Sequence, residues 1–454
     1  MELISKPPIK YAKSGEVHIA HQIFGKGPVD LVVTPGAVSH LDVYWEEPGL
    51  VSFFNDLAQF SRVILFDKRG TGLSDRNVGV PTFEERMDDI RAVMDSAKSK
   101  RAVLLGQSEG VPMSILFASS FPNRTLGLIL VGGEAKGMRS PDYPWQATKE
   151  QYEELFRRDP NYWGTPEHVE RALRSLAPSR TNDAAYKEWL RRLFMLGSSP
   201  GASIALSKSE MMMDVRAILP AVHVPTLLLH AVDDQGNNVE ESRYIASRIA
   251  GSRLVEMPGR DHIFSADPRL NAMVVEETRK FVLGLASHEQ EFERVLTTVV
   301  FTDIVDSTKT AASVGDERWS KVLRSYTSSS TNLIRKYRGR LIKSTGDGTL
   351  AIFDGPSRAI KYADELSRSA REMNLGTRIG IHTGECLLAE DDVSGIAVHV
   401  AARVMGECKS DEVLVTSTVK DLVYGSGATF EERGLRELKG LPERWHIYAL
   451  KSLN

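Results

Sequence analysis

The sequence predicts two folding units in series: a large α/β unit on a mostly parallel sheet with a helical insertion, then a smaller α+β unit. Three observations carry this. The chain has 454 residues, more than one core holds at roughly 100 to 200 residues per domain. Short apolar runs bounded by glycine recur from residue 29 to residue 257, the pattern of parallel strands buried on both faces. Past residue 295 the order becomes strand, helix, hairpin, helix, strand, which is α+β rather than a second wound sheet.

In the first unit the strand-like runs are "VDLVVTPG", "RVILFDKRGTG", "AVLLGQSEG" and "GLILVGGE", followed after an interval by "PTLLLHAVDD" and "RLVEMPG". The interval, about 141–220, carries helical periodicity and many charges ("ATKEQYEELFRR", "EHVERALRSL", "AAYKEWLRRLFMLG") and no strand-like run, which predicts a helical insertion. Around "VLGLASHEQEFERVLTTVVFTD" a helix runs out through a polar stretch. The division expected is 1–287, a linker 288–295, and 296–454. The second unit opens on the strand "TTVVFTD" and a long helical region to Arg338. The hairpin "GRLIKSTGDGTLAIFD", the helix "SRAIKYADELSRSARE", the strand "TRIGIHTGE" and the helix "AVHVAARVMGE" follow.

Composition narrows the class. With 42% hydrophobic and 26% charged residues the chain is an ordinary globular protein. A net charge of -3 without a long block of one sign names no nucleic-acid partner. The opening "MELISKPPIKYAKSGE" lacks a signal peptide's apolar core, and no stretch approaches the roughly 18 apolar residues of a membrane span. A cytoplasmic protein with no membrane partner is expected. Cys386 and Cys408 are too few for a disulfide framework and lack metal-site spacing, so both read as inert thiols.

Two groups of residues suggest chemistry. "GQSEG" at 106–110 follows an apolar run and precedes a helix-compatible stretch, the setting in which two glycines let a strained turn lift the Ser108 hydroxyl out of a sheet. A serine nucleophile needs a histidine with an acid behind it. His262 lies in "PGRDHIF", and Asp233 and Asp234 end the strand "TLLLHAV". Asp234 is the preferred acid and Asp233 the turn residue. An oxyanion hole would use the N–H groups of Glu109 and of Ala37 in "TPGAV". His18, His21, His40, His223 and His230 have no such context.

The serine, acid, histidine order and "FDKRGTGLSD" at 66–75 make residues 1 to about 285 resemble the α/β-hydrolase superfamily. The resemblance implies an α/β-hydrolase fold with residues 141–220 as a cap lining an acyl pocket, and a small ester or acyl substrate. The alternative it leaves open is a hydrolase-like sensor whose ligand regulates the second unit without being cleaved.

In the second unit Asp303, in "VVFTDIVDST", ends a strand, and Asp347 sits at the tip of the "KSTGDG" hairpin. Carboxylates at strand ends beside glycine turns suit hard cations such as Mg²⁺, and a pair could hold two metals for in-line displacement at phosphorus. "VVFTDIVDST", "IKSTGDG", "RIGIHTGE" and "DDVSGIAVHVAAR" in that order closely resemble the class III nucleotidyl cyclase catalytic domain, an α+β ferredoxin-like fold. The resemblance implies two Mg²⁺ or Mn²⁺ ions on Asp303, Asp347 and the Ile304 carbonyl. It also implies adenine reading by Lys343 and Asp392, a transition-state arginine at Arg403, and outer-phosphate contact by Lys439. Guanylyl cyclases carry Glu and Cys at the base-reading positions, so ATP is the implied substrate. His399 stands where many members have asparagine, and imidazole can still donate a hydrogen bond there. Asp306, His382, Glu385 and Cys386 receive no direct role. In homodimeric cyclases each site takes its metal aspartates from one chain and its other residues from the partner, so a homodimer is implied. A cyclase-like unit that only binds nucleotide is the remaining alternative.

Overall fold

The structure, a computed structural model, describes residues 4–158, 160–285, 294–344, 346–388 and 392–453. The chain separates into two compact units, Met1–Glu291 and Phe292–Asn454.

The first unit is built on eight strands: β1 (Lys10–Ser14), β2 (Val17–Phe24), β3 (Val29–Thr34), β4 (Ser61–Phe66), β5 (Ala102–Gln107), β6 (Thr125–Val131), β7 (Thr226–Ala231) and β8 (Arg253–Met257). They lie in the order β1-β2-β4-β3-β5-β6-β7-β8. From β4 to β8 all neighbours are parallel, whereas β1 and β2 form an antiparallel hairpin at one edge. That hairpin is absent from the sequence reading for a physical reason. β1, "KYAKS", buries only Ala12 and Ser14, so it has no apolar run to detect, as suits a short edge strand. The central strands read clearly because both faces are covered; β7 is buried at every position.

Between β6 and β7 the chain leaves the sheet for four helices, Lys149–Phe156, Pro166–Leu176, Ala184–Gly197 and Pro200–Met211. This insertion is tied to the core by backbone and side chain alike. The Gly72 N–H donates to the Gly197 carbonyl at 2.8 Å, and the buried Trp189 indole donates to the Val43 carbonyl at 2.9 Å.

The second unit contains β9 (Arg294–Ile304), β10 (Arg340–Ser344), β11 (Thr349–Phe353), β12 (Thr377–Leu388), β13 (Val393–Ser394), β14 (Glu412–Thr416), β15 (Ala428–Glu437) and β16 (Arg444–Leu453). The sheet runs β10-β11-β9-β12-β14-β16-β15, with β13 on β12. Its first four strands are mutually antiparallel and, with the helices Asp316–Lys336 and Pro356–Glu372, make the β-α-β-β-α-β ferredoxin-like unit. β14 then adds parallel to β12 through the helix Ile396–Gly406. Alternation along β9 separates the two cores: Val300 packs with Tyr326 and Ile360, and Val299 with Ala397 and Ala401. Residues 288–293 of the expected linker lie outside the described residues. Arg294 and Val295 already belong to β9, with Val295 paired to Cys386, so this strand starts three residues before "TTVVFTD" and two before the expected boundary at 296.

The helix Phe83–Ser96 begins at a capping box, in which the Glu85 N–H donates to Thr82 Oγ1 and the Thr82 N–H to Glu85 Oε2. Thr82→Ala removes an acceptor for a first-turn N–H and should lower the unfolding free energy of the first unit by about 1 kcal/mol, read by denaturant titration.

Candidate active sites

Sequence order and sheet order diverge where β3 lies between β4 and β5. In open α/β sheets such a switch opens a crevice at the carboxyl ends of the strands. Gly36 and Ala37 follow β3 there, and Ser108 follows β5. Ser108 has φ +52°, a left-handed conformation that costs energy in a residue with a Cβ. The flanking glycines are required by close approach: a Cβ at Gly106 would meet the Gly110 carbonyl at 2.7 Å, and one at Gly110 the Thr34 carbonyl at 2.3 Å.

Ser108 Oγ lies 2.9 Å from His262 Nε2, and His262 Nδ1 lies 3.0 Å from Asp234 Oδ2. Asp234 Oδ1 accepts from the N–H groups of Gly236 and Asn237 at 2.7 and 3.1 Å, while Asp233 is exposed. His230, completely buried, steadies the same loop. Its Nε2 meets the Asn237 carbonyl at 3.1 Å, and its Nδ1 meets Ser242 Oγ at 2.7 Å. Burial depresses the His230 pKa, leaving a neutral ring in which Nε2 donates and Nδ1 accepts.

Carboxylates crowd this region. Glu109, next to Ser108, is buried yet held below the usual carboxylate range. Desolvation acts the other way and is outweighed by Lys68 and Arg86, which reach it at 2.7 and 2.5 Å. Glu134 is driven well above its ordinary value by burial and by Glu210, Glu241 and Glu109. Burial lifts Glu210 to about 7, with Glu109 adding to the shift, and lifts Glu241 to about 7. Burial alone would depress His262, but the charge and hydrogen bond of Asp234, with Glu241 and Glu210, raise its pKa. Ser108, His262, Gly36 and Ala37 open onto a cavity of about 140 Å³ whose other walls include Tyr44, Phe53, Phe54, Trp189 and Phe194.

In the second unit register brings the two aspartates together. Thr349 of β11 pairs with Thr302 of β9, so Asp347, in the turn before β11, and Asp303, near the end of β9, lie at the same end of the sheet. Asp303 Oδ2 accepts from Arg378 Nη2, and Asp347 Oδ2 from Ser307 Oγ. Among the described residues no group of three or more Asp, Glu, His or Cys could hold a metal. An ion here would therefore complete its shell with carbonyl, water or phosphate oxygens, which is how Mg²⁺ is usually held. The oxygen-only donor set of Asp303, Asp347 and the Ile304 carbonyl fits such a cation. Lys343 Nζ lies 2.8 Å from Asp392 Oδ1, both side chains half exposed, and the hydrogen bond from Lys343 lowers the Asp392 pKa. His399 and Arg403 are exposed one turn apart on the helix Ile396–Gly406. Lys439 is exposed in the turn between β15 and β16.

Residues 31–268 match the family model "Serine aminopeptidase, S33". The chain belongs to this S33 family of α/β hydrolases. Residues 288–452 match the model "Adenylate and Guanylate cyclase catalytic domain". A protein of Azorhizobium caulinodans named "Putative carbamate hydrolase RutD" is 28% identical over 262 residues, which are 56% of this chain and 92% of that one. "Putative adenylate cyclase 3" of Rhizobium meliloti is 26% identical over 141 residues, 29% of this chain and 23% of that longer protein. The structure of the esterase RhEst1 from Rhodococcus sp. superposes on the S33 unit with a TM-score of 0.52 at 24% identity, covering 61% of this chain and 99% of that one, a likeness of fold.

The structure also exposes partners that motif reading passed over. Lys68 and Asp67 lie in "FDKRGTGLSD", noticed as a motif without roles. Asp67 Oδ2 accepts from the Leu41 and Leu73 N–H groups at 3.1 and 2.9 Å, fixing that turn of the S33 unit, and Lys68 reaches Glu109. Arg378 lies inside "TRIGIHTGE", and only the β9–β12 register, which pairs it with Asp303, marks it out. Nothing local marks Arg86, Glu134 or Glu210. No helix of the described residues is long and apolar enough to cross a membrane.

Because Asp234, Glu210 and Glu241 all favour the imidazolium, the His262 resonances in an NMR titration should move with an apparent pKa above 6.5. Glu210→Gln removes one of the negative charges and should bring that value down.

Proposed function

We propose that the chain is a bifunctional enzyme: a class III adenylyl cyclase converting ATP to cyclic AMP and pyrophosphate, joined to a serine hydrolase acting on a small ester or related acyl bond. The observation carrying the hydrolase half is the unbroken hydrogen-bonded chain from Ser108 through His262 to Asp234. It favours a working nucleophile over an idle, ligand-sensing pocket.

In the hydrolase reaction Ser108 Oγ attacks the carbonyl carbon as His262 Nε2 takes its proton, and Asp234 stabilises the imidazolium. The N–H groups of Glu109 and Ala37 receive the developing oxyanion. His262 then protonates the leaving group, and a water repeats the sequence to free the acid. Only neutral His262 can act as base, so the rate should rise with pH through the raised pKa of that ring.

For the cyclase half, the carrying observation is the match of residues 288–452 to the cyclase catalytic domain, supported by Asp303 near the end of β9 and Asp347 in the turn entering the adjoining β11. Asp303, Asp347 and the Ile304 carbonyl would hold two Mg²⁺ or Mn²⁺ ions, which would supply charge neutralisation for the triphosphate and acidity for the ribose 3′-hydroxyl; that hydroxyl attacks the α-phosphorus as pyrophosphate leaves. Lys343 donates to the adenine and Asp392 accepts from its amino group. Arg403 spreads its guanidinium over developing charge, a task for which lysine's point charge is poorly suited. His399 donates to ribose or phosphate, and Lys439 meets the outer phosphates.

The catalytic assembly is a homodimer. In support, Ile396 is 60% exposed on the same helix as the exposed His399 and Arg403, an apolar side chain with its face open in the single chain.

Three measurements test this. With Mg²⁺ or Mn²⁺ the protein should make cyclic AMP from ATP in large excess over cyclic GMP from GTP, and absence of both products refutes the cyclase reading. Asp347→Ala and Arg403→Ala should each lose activity by on the order of 100-fold or more. They should recover it when mixed under subunit exchange, because one intact site re-forms in the heterodimer. Ser108→Ala should lower hydrolysis of 4-nitrophenyl butyrate by on the order of 1,000-fold or more.

A further inference from the structure

Two helices face each other across the cavity beside Ser108. From Pro48–Leu57 come Leu50, Phe53 and Phe54, and from the inserted helix Ala184–Gly197 come Leu190, Leu193 and Phe194. Both sets have i, i+3, i+4 spacing, so each helix presents one apolar stripe. The second helix is tied to the segment that leads into the first, because the Trp189 indole donates to the Val43 carbonyl. Among the described residues no Asp, Glu, Lys or Arg lines the cavity. The buried Glu210 and Glu241, which act electrostatically on His262, form no part of its wall.

From this geometry we propose that the Ser108 site is specific for uncharged apolar acyl groups of about six carbons or one phenyl ring, and that the inserted helix Ala184–Gly197 sets the upper limit. This rests on Ser108 acting as the nucleophile. An apolar cavity of about 150 Å³ admits a benzene molecule, and this one holds about 140 Å³. A carboxylate or ammonium on the acyl chain would lose its hydration with no partner to replace it. Aminoacyl substrates, which the family model's own description would suggest, are therefore disfavoured in this chain. In the reaction the acyl carbon bonds to Ser108 Oγ as its bond to the alcohol oxygen breaks, and the alcohol leaves with the proton held by His262. Water then cleaves the acyl-enzyme, yielding the carboxylic acid and free Ser108.

The test uses the full chain and two readouts. A fluorophosphonate probe should label wild type and fail to label Ser108→Ala, reporting the nucleophile independently of acyl choice. Across 4-nitrophenyl esters, kcat/KM should rise about fourfold per methylene from acetate to hexanoate. It should fall at least tenfold by decanoate, remain high for benzoate, and lie at least 100-fold below butyrate for the hemisuccinate. Leu193→Trp, filling the cavity, should move the optimum to acetate or propionate, and Leu193→Ala should move it about two carbons longer. The opposite directions separate a size gate from a general loss of packing, and either variant alone suffices if the other does not fold. Labelling with a flat profile, a profile still rising at decanoate, or faster cleavage of the hemisuccinate or of alanine 4-nitroanilide overturns the specificity while leaving the nucleophile in place. Failure of wild type to label overturns both.

Discussion

A charged or nucleophilic side chain cannot lie inside a strand buried on both faces without a partner to replace lost water. That constraint places the chemistry of both units at strand ends. In the first, Ser108, Asp234 and His262 follow β5, β7 and β8, whose interiors are mostly leucine and valine, and the one buried histidine among them, His230, has its partners in Ser242 and Asn237. In the second, Asp303 is the penultimate residue of β9, and Asp347 lies in the turn entering β11. The sheets act as rigid combs that deliver separate loops to one edge at fixed spacing. The distances of about 3 Å from Ser108 to His262 and from His262 to Asp234 rest on that spacing together with the hydrogen bonds that fix the loop after β7.

The region around the serine shows a second consequence of burial. Glu109 stays ionised between Lys68 and Arg86, while Glu134, Glu210 and Glu241 are pushed toward their neutral forms. Removing one member of such a buried set leaves its partner uncompensated, so the lysine and arginine matter to the turn carrying Ser108 although they touch none of the atoms proposed to react. Glu210, on the inserted helix Pro200–Met211, and Glu241, on the helix Val239–Ala246 after β7, bear on His262 through space, which links their protonation to that of the imidazole.

The second unit spreads its charges differently. Its ion pairs are partly exposed: Lys343 with Asp392, Arg378 with Asp303. Such pairs contribute little stability, so they can exchange partners at low cost when a triphosphate, a cation or another protein surface arrives. Exchangeable pairs and an open helix face are compatible with the assembly between chains proposed above. Around Ser108, by contrast, the Asp234 and His262 side chains are buried and the cavity walled by two helices is formed by one chain.

By itself the sequence determined whatever depends on near neighbours. Apolar runs announced the central strands because both faces are covered. Glycines at 106 and 110 marked the Ser108 turn, and four ordered motifs marked the second unit and its aspartates. The edge strand β1 stayed invisible because its burial alternates over only five residues. Only the tertiary structure decided which distant side chains meet: Arg86 against Glu109, Arg378 against Asp303, and two helix faces around the apolar cavity. Such contacts depend on sheet register, crossover order and the seating of inserted helices. Each is the sum of many weak terms spread along the chain, and no short stretch of sequence encodes it.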